Sequence, residues 1–184
     1  MSSDKVVSES IITSTVEQLS KHNIEAVVVA SKEEALSTIK SLIPAGSSVM
    51  NGSSTTLTEI GFVEYLKDGK HGWNNLHESI LAEKDPIKQN DLRKQSALSD
   101  YYLGSVQALT ESGEFIIASN TGSQLPNIVF TSNNLIFVVG SQKIVPTMSE
   151  ALKRLDEQVV PLENERSLKA YGAPTTVNKI VIFK

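Results

Sequence analysis

Short apolar runs alternate with amphipathic stretches that open on helix-capping residues, and none of the runs exceeds five residues. Ala26-Val27-Val28-Val29-Ala30 and Leu135-Ile136-Phe137-Val138-Val139 are the longest. A chain spanning a bilayer by helices needs roughly 18 or more, so these runs read as buried strands. Ile24 to Ala30 is the first strand expected. Ser31-Lys32-Glu33-Glu34 then fits a capping box, in which hydroxyl and carboxylate satisfy orphan amides. The helix that follows carries Leu36, Ile39 and Ile43 on one face and stops at Pro44-Ala45-Gly46. Ser48-Val49-Met50 is the next strand, and Asn51-Gly52 a strong turn dipeptide. Strand, helix and strand in so short a span predict the βαβ unit of a parallel sheet.

Other elements follow by the same reasoning. Ile12, Val16 and Leu19 predict a first helix ending near His22-Asn23. A third capping pattern, Thr56-Leu57-Thr58-Glu59, opens a helix expected to reach about Lys67, with apolar residues over more than half its circumference. Lys67 to Leu76 is polar and reads as loop. Asp85-Pro86 starts a mostly polar surface helix running to about Ser99. Val106–Leu109 and Phe115–Ala118 flank Glu111-Ser112-Gly113-Glu114 as a hairpin. Asn134 to Val139 is a further buried strand, and Lys143-Ile144-Val145 is extended. Thr147-Met148-Ser149-Glu150 caps a helix with Met148, Ala151, Leu152, Leu155 and Val159 in one stripe, ended by Pro161. Val177 to Phe183 is the last strand. The class expected is α/β: one domain over residues 1–184, a mostly parallel sheet flanked by helices, a hairpin in the second half, and a disordered start at residues 1–7.

Composition excludes several functions. With 17 Lys+Arg against 21 Asp+Glu the formal charge is −4, so no general basic field marks nucleic acid as a partner. The chain has no cysteine, hence no disulfide, thiol nucleophile or thiolate-held zinc or iron–sulfur cluster. Three histidines, His22, His71 and His77, leave little for a metal site, and no cofactor or metal is expected. The polar start, Met1-Ser2-Ser3-Asp4-Lys5, has no apolar signal core. A cytoplasmic protein without membrane association is expected.

Two loops stand out for chemistry. Gly52-Ser53-Ser54-Thr55-Thr56 leaves a strand and enters a helix, where open α/β sheets bind ligands. Glycine admits close backbone approach, and hydroxyls and helix amides suit a phosphate or carboxylate. A tight turn plus a capped helix explains the same residues. Asn120-Thr121-Gly122-Ser123-Gln124 follows the Phe115–Ala118 strand and is the same kind of object, with a surface turn as its alternative. Glu59 is the one carboxylate beside the first loop and the only general-base candidate. His71 and His77 are expected to face solvent and Trp73 to pack its loop against the body. Asp100-Tyr101-Tyr102 is read either as packing or as supplying a phenolic donor to a site.

These stretches resemble a known family. Gly52 to Gly61 is similar to the GGS-x-T-L-x-E-I-G signature of the LUD domain, the lactate-utilization LutC/YkgG type. Ser99 to Ser105 resembles its A-D-Y-F-L segment, and Ala108 to Glu114 its A-[IVL]-T-E-x-G-E segment. Asn120 to Gln124 falls at the family's G-[ST]-G position, and Gln142 to Pro146 resembles its K-I-V segment. The resemblance implies a fold like the NagB/RpiA/CoA-transferase group. It also implies a link to oxidation of lactate to pyruvate, in a three-component system whose partners carry iron–sulfur clusters. Many members of this length end in a cysteine-rich segment; Lys169 to Thr176 has none here. The expectation is an accessory component of organic-acid oxidation without its own cluster, with iron–sulfur partner subunits and self-association into a homo-oligomer. The alternative is a stand-alone enzyme or binder of a small anionic molecule, such as a phosphate ester, a CoA derivative or a folate-like carboxylate, at the two loops.

Overall fold

The computed structural model describes residues 7–184, the side chain of Tyr171 excepted. Most of the expected disordered start therefore lies outside the described residues. In chain order the first elements are α1 (Glu9–Lys21), α2 (Lys32–Leu42), β1 (Ser48–Asn51), α3 (Thr55–Glu59) and α4 (Phe62–Lys67). There follow β2 (Asn74–Asn75), α5 (Leu76–Ala82), α6 (Pro86–Gln95), β3 (Tyr101–Gly104), β4 (Ala108–Thr110) and β5 (Phe115–Ser119). The last are β6 (Asn134–Phe137), β7 (Ile144–Val145), α7 (Met148–Arg154), α8 (Val160–Tyr171) and β8 (Lys179–Phe183).

The chain forms two compact units, neither continuous in sequence. One comprises the described residues up to Val27, with Val106–Gly122 and Val139–Lys184; the other comprises Val28–Ser105 and Ser123–Val138. The second holds a parallel sheet in the order β2-β1-β3-β6. Side chains alternate across a sheet, and the side bearing Val49 and Leu103 is covered by Ala35 and Ile39 of α2 and by Leu57, Phe62 and Leu66 of α3 and α4. Each of these side chains larger than alanine contributes about 1.5–3 kcal/mol by leaving water. Trp73 joins this core and donates its Nε1–H to the Ile43 carbonyl (3.1 Å), as expected for a packing residue.

The first unit holds a mixed sheet, β7-β4-β5-β8. The expected hairpin is present: β4 and β5 are antiparallel, and β8 pairs antiparallel with β5. Ala151 and Leu155 of the long C-terminal helical stretch pack on Ala108 and Ile116. No helix of the described residues is long and apolar enough to cross a membrane.

Local capping explains most helix starts. Ser8, Ser31, Ser54, Asn75, Asp85 and Thr147 each accept a hydrogen bond from an orphan amide in the first turn. The Glu34 carboxylate reaches back to the Ala30 N–H (2.7 Å), one residue before the cap.

Five expectations are corrected. Ile24–Ala30 is not a strand; it is unpaired, with Val27 and Val28 60 % and 62 % exposed. Both edges of β1 are taken, by β2 and β3, so the βαβ unit begins at β1 instead. The helix expected from Thr56 to Lys67 is two helices, because Gly61 adopts a left-handed φ of 79° between them. Its cap is Ser54 rather than Thr56. Pro161 does not end the last helix. A π turn at Leu155–Val159 precedes it and α8 continues to Tyr171, the wider turn accommodating a residue without an N–H. The strand at β6 is an edge strand with Leu135 exposed, not a buried one.

Candidate functional site

The parallel sheet places the first loop. From β1 the chain crosses to β2 on one side and then to β3 on the other. Strand order therefore reverses between β1 and β3, and open α/β sheets bind ligands beyond the carboxyl ends of the strands at such a reversal. Asn51 and Gly52 stand there, with Gly52 N–H donating to the Leu103 carbonyl (3.1 Å).

Close packing explains the glycine. A Cβ built on Gly52 would lie 2.4 Å from the Tyr102 hydroxyl oxygen and 3.5 Å from its Cζ. Tyr102 is 2 % exposed, so its ring has little room to yield. Burial pushes the Tyr102 phenol well above its usual range, which keeps it a neutral hydroxyl. That hydroxyl makes no hydrogen bond among the described residues. Asn51 is 6 % exposed; its amide N–H donates to the Gly52 carbonyl (3.2 Å), while Oδ1 is buried with no partner. A buried polar atom without a partner is costly, and Asn51 Oδ1 is one, on the residue before the glycine.

The remaining residues of this loop have distinct places. Ser54 caps α3 by accepting from Leu57 N–H (3.3 Å), and Leu57 anchors the turn in the core. Ser53 and Thr55 are exposed, Thr56 half-buried. With only five residues, α3 contributes little dipole for an anion. Glu59 is exposed at its last position.

Sequence reasoning missed His77. It is half-buried, and its Nδ1–H donates to the Asn51 carbonyl (3.2 Å), which leaves the lone pair on Nε2 in the neutral ring. Parallel pairing of β2 with β1 aligns their carboxyl ends, and α5 starts directly after β2. The first turn of α5 thus lands beside Asn51. His71 does not face solvent either. Its Nδ1 accepts from Trp73 N–H (3.0 Å), so Nε2–H donates to the Leu66 carbonyl (3.2 Å), and the ring stacks on Trp73 at 5.3 Å. It is a packing residue.

The second loop is divided. Asn120, Thr121 and Gly122 belong to the first unit, Ser123 and Gln124 to the other. The Asn120 side chain donates to Thr175 Oγ1 (3.4 Å) and accepts from Asn178 Nδ2 (2.8 Å). Gly122 has a φ of 84° and donates its N–H to Ser119 Oγ (2.9 Å). These bonds tie the loop to the segment entering β8. Asp100 accepts from the Ser48 hydroxyl (2.7 Å) and N–H (2.9 Å) at the amino ends of β3 and β1, away from the strand ends where the loop lies. Among the described residues no group of three or more His, Asp or Glu stands together as a metal site.

No curated protein and no solved structure matches the chain. The glycine-and-hydroxyl turn at the end of β1, the β3 segment holding Tyr102 and the β4–β5 hairpin all fall within residues 12–178, which match the family model of the LUD domain; covering nearly the whole chain, that match makes this protein a member of the LUD domain family, the kind associated with lactate utilization.

Proposed function

We propose that this LUD-domain protein is a non-redox component serving oxidation of a small organic acid such as lactate, and that it holds the acid where β1 and β3 end. The observation that carries the site is the buried Asn51 Oδ1, which has no partner among the described residues and stands at the strand end where the Tyr102 hydroxyl closes on Gly52. An organic acid offers what that oxygen lacks. A protonated or hydroxyl oxygen donates to Asn51, and a carboxylate oxygen accepts from Tyr102 and Ser53. His77, held through Nδ1–H, keeps an acceptor nitrogen nearby. Glu59 is kept only as an exposed carboxylate at the rim of this region. A chain without cysteine ligates no thiolate-held cluster, so the two electrons leaving a hydroxy acid pass to iron–sulfur partner proteins.

The test is thermal unfolding of the intact protein with L-lactate or pyruvate, against inorganic phosphate and coenzyme A. Native-state binding stabilises by RT ln(1 + [L]/Kd), about 2.7 kcal/mol at a hundredfold excess over Kd. A midpoint raised by lactate or pyruvate, and no longer raised in Gly52→Val, supports the proposal. Stabilisation by phosphate or coenzyme A alone moves the function to the alternative, a binder of phosphorylated ligands. Silence of all four compounds refutes the site.

A further inference from the structure

The first unit contains a cavity of about 480 Å³ that the organic-acid proposal does not use. Its volume lies in the range of small-molecule sites, roughly 300–1,000 Å³. It opens between the start of α1, the strand β7 and one face of α7 and the π turn after it. Ile11, Ile144 and Val145 supply an apolar floor.

The charges around that floor stand apart. Lys153 and Arg154 line it on one helix face, and Glu111, Glu150 and Glu157 line it too. Neither cation has a carboxylate oxygen within ion-pair distance among the described residues. Glu150 and Arg154, like Lys153 and Glu157, are four apart on a helical stretch, the spacing at which opposite charges normally pair. Arg154 is also half-buried. Its Nε–H donates to the Gln107 carbonyl (3.1 Å) and Nη1 to Gln158 Oε1, both neutral acceptors. Nη2 has no partner among the described residues. Desolvation pulls the guanidinium below its usual range, as for a cation that has left water without gaining an anion.

We propose that this cavity binds a small zwitterion, an α-amino acid with an apolar side chain. Its carboxylate sits on Arg154 and Lys153, its ammonium among the three glutamates, and its side chain on Ile11, Ile144 and Val145. Arginine presents planar donors matched to a carboxylate. A phosphate or dicarboxylate would face the glutamates unpaired, and a diamine would face the two cations. Only a ligand carrying both charges satisfies both sets.

Calorimetric titration of the intact protein with L-leucine tests this, with N-acetyl-L-leucine (no ammonium) and isopentylamine (no carboxylate) as partial ligands. The expected result is saturable binding of leucine and at least a tenfold weaker interaction with each partial ligand. Arg154→Gln is expected to weaken leucine at least tenfold. Lys153→Glu, at an exposed position, is expected to do the same, with circular dichroism unchanged. Absence of leucine binding at millimolar concentration overturns the proposal. So does equal binding of N-acetyl-L-leucine, or unchanged leucine affinity in folded Lys153→Glu protein. The cavity shares no residue with the strand-end site, so its failure leaves the organic-acid proposal standing.

Discussion

Adding a single methyl group at Gly52 tests whether the strand-end site is built as described. The added Cβ would lie 2.4 Å from the Tyr102 hydroxyl oxygen, about 1 Å inside ordinary contact distance. The obstacle is the far end of a ring that is 2 % exposed, so relief requires moving a packed side chain or the loop. Overpacking of this kind costs about 1–3 kcal/mol. Gly52 is not among the glycines of positive φ, so alanine fits the backbone and recovers about 0.4–1 kcal/mol from the unfolded chain. The net expectation for Gly52→Ala is destabilisation by about 1–2 kcal/mol.

Tyr102→Phe isolates the cause. Without the hydroxyl oxygen the nearest atom left is Cζ at 3.5 Å, an ordinary contact. The phenylalanine variant alone is expected to be close to neutral, because the hydroxyl it removes makes no hydrogen bond among the described residues. In that background Gly52→Ala is expected to cost nothing or to stabilise. The double-mutant cycle should therefore give a coupling of at least about 1 kcal/mol. Thermal midpoints report it at about 2–4 °C per kcal/mol for a chain of this size. An equal loss from Gly52→Ala in both backgrounds would show that the hydroxyl is not what the glycine accommodates.

Gly61→Ala is expected to cost about 1–2 kcal/mol from left-handed strain, since the nearest side-chain atom, Leu36 Cδ2 at 3.7 Å, leaves space; Gly61→Asn should lose less in urea denaturation. Trp73→Phe strands the Ile43 carbonyl and is expected to cost about 1–3 kcal/mol, read as a lower midpoint. Leu155→Ala, in the core of the first unit at 1 % exposure, is expected to cost about 2–5 kcal/mol by the same measurement. The Ser48 hydroxyl, then its N–H, hold the Asp100 carboxyl below the ordinary value of 3.8. A depressed folded value gives stability that is present above the unfolded value and lost as pH falls through the folded one. Wild type should thus exceed Asp100→Asn in stability at neutral pH, and the gap should close below pH 3.8; a gap independent of pH would count against the interaction.

What the sequence made legible was local. Ser31, Asp85 and Thr147 announce their helices because a capping side chain bonds within its own first turn. The β4–β5 hairpin is legible because its partners are neighbours in sequence. Ile24–Ala30 misleads because a valine-rich run reads alike whether or not a strand edge is free to pair with it, and here β2 and β3 occupy β1. Pro161 misleads because its usual effect presumes a regular α turn before it, whereas a π turn stands there. The loop Gly52–Thr56 was legible as a strand end; the depth of the site beneath it was not. Asn51 reads as half of a turn dipeptide, yet it is the last residue of β1 and its Oδ1 is buried. Tyr102 and His77 enter only through parallel pairings, Met50 with Tyr102 and Val49 with Asn75. Shifting either register by one residue would turn the pleat over, carrying Tyr102 away from Gly52 or moving α5 away from Asn51. The coupling between Gly52 and Tyr102 therefore measures more than one contact. It reports the β1–β3 register on which the strand-end site depends.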